Sequence, residues 1–195
     1  HYGRSIYHVV NPPVDTDSFS GDREHSPGKF VMVGRLEGRK RPFLAVEAFS
    51  RLAKDGLQEL PELHFVGDGP LRDEIRHTAP KNVHVHGYVE DHELRAIVES
   101  SDIGILLPER EDFGITPVEY MAAGLPVLAV DEPNTNNLVE NGFTGLLVGP
   151  DPDAVADGVL RMMNHDWDRE AITEEAERYR TYRFQKQIRE VVADV

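Results

Sequence analysis

Cysteine is absent from the 195 residues, which excludes a disulfide framework and thiolate chemistry and makes a reducing cytoplasm the plain inference. Long apolar runs are missing too. The most apolar stretches, 102–108 and 125–130, fall far short of the roughly 18 residues a membrane span needs. No secretory signal opens the chain, whose first residue is His1, and the stretch reads as a piece of something longer. Lysine is scarce, at positions 29, 40, 54, 81 and 186 only, so arginine carries most of the positive charge. The 21 Lys+Arg face 35 Asp+Glu, a net charge of −14. That balance argues against nucleic acid or an anionic membrane as a partner by overall charge. Few lysines among many carboxylates is also the pattern of a surface solvated for high salt. A GxGxxG after the first strand is lacking, which counts against a dinucleotide oxidoreductase.

What is present is globular. Hydrophobic residues make up 39% and glycine adds 16 residues, enough to exclude disorder. Strand-length apolar runs alternate with segments of helical period. Strands are predicted at 29–33, 63–66, 83–85, 103–107, 126–130 and 146–148. Helices are predicted at 42–53, 71–78, 93–99 (capped by Asp91), 116–123, near 137–140, and at 154–163 behind Asp151 or Asp153, with two charged helical segments closing the chain. Such alternation requires crossovers, and crossovers make a parallel sheet covered on both faces. The fold class is therefore α/β, a doubly wound Rossmann-like parallel sheet of about six strands. Ligands of such sheets bind beyond the carboxyl ends of the strands.

The richest loop follows the fourth strand: Glu111-Asp112-Phe113-Gly114-Ile115-Thr116-Pro117-Val118-Glu119. Thr116 fits an N-cap and Pro117 a first helical residue. The free N–H groups of that turn, with Gly114 admitting close approach, suit an anion. Glu119 would sit in the first turn, favoured there by the helix dipole. Either glutamate alone is equally well explained as a solvated acid; the whole run is more specific.

That run resembles the signature of the retaining glycosyltransferases of family 4 (group 1): two glutamates with seven residues between them and Phe-Gly after the first. Four other stretches resemble the family in the same order. They are the linker 11–19, Val33-Gly34-Arg35-Leu36 with Lys40, the turn Val66-Gly67-Asp68-Gly69-Pro70, and the last strand 141–148. The resemblance implies the C-terminal, donor-binding half of a two-domain GT-B enzyme, with residues 1–20 as the linker, 21–195 as the donor-binding domain, and an N-terminal acceptor domain outside this chain. It implies Arg35 and Lys40 on the donor diphosphate, for which a forked guanidinium and a point charge are both suited. It also implies Glu111 facing the donor sugar, Glu119 accepting from the ribose hydroxyls, and backbone near Gly34, Phe113, Gly114, Ile115 and Thr116 on sugar and phosphate. Val89 would touch the base. The donor is expected to be a UDP-, GDP- or ADP-sugar, with no metal and no cofactor, and the acceptor is left open. The expected location is the cytoplasm, or the cytoplasmic face of a membrane reached through the absent domain.

The reaction implied is a front-face displacement assisted by the leaving diphosphate, and the chain alone is expected to be inactive. The alternative is a nucleotide or nucleotide-sugar binding module without catalysis of its own. Asp15-Thr16-Asp17 and Asp151-Pro152-Asp153 spell a metal-holding pattern but fit turn and cap roles. His84 and His86 share a strand face with no third ligand at a known spacing, and packing on the strand explains them better than a metal. Where the family has a Gly pair and then Glu, residues 133–137 read Pro-Asn-Thr-Asn-Asn, a departure beside the donor site.

Overall fold

The computed structural model describes residues 11–19, 25–54, 56–111, 114–133 and 135–193. Six strands form one sheet: β1 (Lys29–Val33), β2 (Glu62–Val66), β3 (Val83–Gly87), β4 (Ile103–Leu106), β5 (Val127–Val130) and β6 (Gly145–Val148). All pairings are parallel, in the order β3-β2-β1-β4-β5-β6. The helices are α1 (Pro42–Leu52), α2 (Arg72–Thr78), α3 (Asp91–Glu99), α4 (Ile115–Ala122), α5 (Thr135–Leu138), α6 (Pro152–Met163), α7 (Arg169–Ala176) and α8 (Thr181–Ala193).

Alternation along the strands divides the core into two layers. Phe30, Leu63, Phe65 and Ile105 point to one face, where Phe49 of α1, Ile75 of α2 and Val159 of α6 cover them. Val31, Val66, Leu106 and Val127 point to the other, under Val98 of α3, Met121 of α4 and Ile172 of α7. Each such fully buried side chain contributes about 1.5–3 kcal/mol relative to exposure. The chain runs outward from β1 through β3, then returns to the middle and runs the other way from β4 to β6. The order therefore reverses between β1 and β4, and the loops leaving those two strands part to open a crevice.

Five helix starts shift by one or two residues from the sequence reading, α2 to Arg72 and α6 to Pro152 among them. α4 begins at Ile115, with Gly114 as its extended N-cap residue and no side-chain cap, so Thr116 lies inside the helix and Pro117 at its third position. Glu119 consequently belongs to the second turn, beyond the strongest reach of the dipole. α3 begins at Asp91 itself, preceded by extended Glu90, and Asp91 is a first-turn acid instead of the cap. The short helix lies at Thr135–Leu138 instead of near 137–140. Asp151 caps α6 as read, accepting from the N–H of Asp153 at 3.1 Å and of Ala154 at 2.9 Å. Val14 and Arg180 form a parallel bridge, and the Arg180 guanidinium holds Thr16 and Asp17, so residues 14–17 lie against the start of α8.

Candidate functional site

The crevice between β1 and β4 is a cleft of about 220 Å³. Its floor is the carboxyl ends of the two strands, Val33 on one side and Leu106 on the other. Its walls carry Lys40, Glu111, Gly114, Ile115 and Thr116. Two polar groups converge there: Lys40 Nζ donates to Glu111 Oε2 at 2.6 Å. Both side chains are largely withdrawn from water, with 28% and 11% exposure, where a charge-assisted bond is stronger than at an open surface.

The backbone holds this pair from both sides. Among the described residues, two non-glycines have positive φ: Arg41 (50°) and Arg110 (58°). One directly follows Lys40 and the other directly precedes Glu111. Left-handed conformations cost L-residues free energy and persist where surroundings over-determine them. Those surroundings are visible. The Glu109 N–H donates to the Arg39 carbonyl at 2.7 Å, joining the two loops, and Arg41 Nη1 donates to Glu132 Oε1 at 2.7 Å, joining the first to the loop after β5.

The loop after β1 rests on the turn after β2. Gly34 N–H donates to Val66 O, and Leu36 N–H to Asp68 O, each at 2.9 Å. Gly67 has φ +135°, and a Cβ there would lie 2.1 Å from the Gly34 carbonyl oxygen, so the two backbones touch with no room for a side chain. Arg35, carried on this loop, points outward. It is 69% exposed and its Nε donates to Glu37 Oε2 at 3.1 Å. The structure thus brings Lys40, Glu111, Gly114, Ile115 and Thr116 together and leaves Arg35 outside the cleft lining.

Glu119 faces a separate hollow, shared with Asp15, Phe19, Asp91, Leu94 and Arg95. Burial pushes its carboxyl above the usual carboxylate range. The hollow lies at the start of α3, two residues beyond Val89, which is half-buried and packed into the second core layer. Phe113 lies outside the described residues. Within 133–137, no described residue lines the cleft.

Sequence reasoning missed Tyr120. It is fully buried, and its hydroxyl accepts from the Val33 N–H at 2.7 Å, directly before Gly34. Its ring lies over Gly104 of β4, where an added Cβ would come within 2.2 Å of it. A tyrosine within an apolar helix face was the available signal, because a buried phenol requires a partner. Arg41 and Glu132 were also missed. No sequence signal marks them, since their pairing spans 91 positions.

The sheet order and the crevice at its reversal define the Rossmann-like half of the GT-B fold. The chain belongs to the glycosyl transferases group 1 family, whose model matches residues 14–179. It is similar to the D-inositol 3-phosphate glycosyltransferase of Geodermatophilus obscurus, 29% identical over 187 residues, covering 78% of this chain and 39% of that protein. It is also similar to sulfoquinovosyl transferase SQD2 of Arabidopsis thaliana, 28% identical over 185 residues, covering 89% of this chain and 36% of that protein. The chain therefore spans well under half the length of these curated relatives. Among solved structures, the pneumococcal O-GlcNAc transferase GtfA, in complex with UDP and GlcNAc, superposes with a TM-score of 0.73 at 21% identity, covering 95% of this chain and 38% of that one. No helix of the described residues is long and apolar enough to cross a membrane.

Proposed function

We propose that this chain is the donor-binding half of a retaining glycosyltransferase that takes a sugar from a nucleotide-sugar. The observation that carries the reading is the Lys40–Glu111 pair in a cleft at the reversal point of the sheet, beside the first turn of α4. A diphosphate leaving group gains negative charge as the glycosidic bond breaks. Lys40 and the free N–H groups of Ile115 and Thr116 supply fixed positive potential where that charge develops. The bound diphosphate competes with Glu111 for Lys40, and Glu111 is thereby released toward the sugar. Arg35 swings from Glu37 onto the phosphates. Glu119, in the separate hollow, accepts from the ribose hydroxyls, and backbone near Val89 meets the base.

Family membership supports glycosyl transfer, and the UDP held by the pneumococcal structure makes UDP-sugars the first donors to test. Calorimetry of the chain against UDP-, GDP- and ADP-sugars is expected to give one-to-one binding of one nucleotide class. In the protein with its acceptor-side domain, the product is expected to keep the donor's anomeric configuration. Inversion would overturn the retaining assignment. Binding without any transfer to an acceptor would leave a nucleotide-sugar binding module.

A further inference from the structure

The outer corner of the sheet carries a second cluster of polar groups, none of which lines the cleft. Glu62 and His64 lie two apart on β2, and His84 and His86 two apart on edge strand β3. The residues between them, Leu63 and Val85, turn into the first core layer, so all four polar side chains share the opposite face. The parallel register sets His64 directly beside His84. The His64 ring stacks on His84 at 4.7 Å and 28°, and on His86 at 5.2 Å and 23°.

Three atoms converge. Glu62 Oε2 lies 3.5 Å from His64 Nε2 and 3.9 Å from His84 Nε2. Two ligand atoms on one tetrahedral zinc, each about 2.0–2.1 Å from the metal, sit roughly 3.4 Å apart. Both separations lie within about half an ångström of that spacing, and the three ligand atoms all fall within 4.8 Å of one another. His84 Nε2 is buried and has no hydrogen-bond partner among the described residues. His64 Nδ1 lies 2.9 Å from His86 Nε2. When that Nδ1 carries the proton and donates it to His86, the lone pair of His64 Nε2 faces Glu62, an arrangement a cation completes.

We propose that Glu62, His64 and His84 bind a divalent transition-metal ion, zinc first among them, with His86 as the positioning residue that holds His64 in its ligating tautomer. Two imidazole nitrogens and a carboxylate suit zinc or its neighbours better than magnesium or calcium. Lys29 opposes the ion, but its ammonium is turned to Ser100 Oγ at 2.7 Å, and Glu62 offsets it. A bound ion would clip the edge strand to its neighbour, at residues that do not line the cleft.

The test is titration of the chelator-stripped chain with zinc chloride by calorimetry, and with cobalt chloride by its visible ligand-field absorption. One equivalent of zinc should bind and raise the melting temperature. His84→Gln and Glu62→Gln should each lose binding at least a hundredfold, and His86→Gln about tenfold, as outer-shell partners do. Lys29→Gln should tighten binding, a gain that damaged folding would not produce. Melts without metal check that each variant is folded. Absence of binding, or zinc bound equally by parent, His84→Gln and Lys29→Gln, would overturn the site.

Discussion

Lys40 and Glu111, 71 positions apart, meet at 2.6 Å across the crevice between β1 and β4. A diphosphate drawn to Lys40 must therefore compete with a carboxylate already there. Lys40→Ala should weaken nucleoside diphosphate and nucleotide-sugar alike, by about ten- to a hundredfold, for a charged hydrogen bond of about 1.5–3 kcal/mol. Glu111→Gln should separate the ligands. It frees Lys40, so affinity for the bare nucleoside diphosphate should hold or rise while the sugar-bearing donor binds more weakly. If Glu111→Gln weakens the bare diphosphate as much as Lys40→Ala does, Glu111 does not belong to the sugar.

Arg35 is exposed and paired with Glu37 on the same loop. Arg35→Ala should shift stability by no more than about 0.5 kcal/mol, as is usual for surface positions. Its effect should fall on diphosphate affinity measured by calorimetry. Unchanged affinity would remove Arg35 from the donor site.

Burial raises the pKa of Glu119 above its ordinary 4.5, and that fixes the sign of two pH effects. The folded state holds this proton more tightly than the unfolded chain does. The stability it contributes is present below the unfolded value and lost as pH rises through the raised one. Glu119→Gln should therefore melt above the parent at neutral pH, with the difference shrinking as pH falls toward 4.5. Nucleotide affinity of the parent should run the other way, weakening as acid protonates the carboxylate. The variant should show neither trend.

Removing the Tyr120 hydroxyl strips the Val33 N–H of its acceptor next to Gly34. Tyr120→Phe should cost about 1–3 kcal/mol, read by urea or thermal unfolding. Donor affinity should fall as well, because Val33 precedes the loop that carries Arg35 and Lys40.

If the surface is adapted to salt, molar KCl should raise the melting temperature by screening repulsion among the excess carboxylates. A flat or falling curve would discard that reading.

The elements and their class were legible in the chain alone. Apolar runs of strand length, alternating with helical periods, are local signals, and six strands lie within a residue or two of where periodicity predicts them. The ordered motifs, Glu111 to Glu119 foremost, carried the family. Helix starts were less legible: at α4, one extended glycine, Gly114, set the boundary ahead of Thr116. Which side chains meet is set by how the elements pack. The Lys40–Glu111 bond, the Tyr120 hydroxyl on Val33 and the Arg41–Glu132 tie join residues 71 to 91 positions apart. His84 and His86 have no third partner on their own strand, because the polar groups beside them, Glu62 and His64, stand on the adjacent one. Spacing along a chain reports what one element presents to one face. Which faces abut, and in what register, follows from burying the whole apolar surface at once, and that is settled only when the sheet closes on its helices.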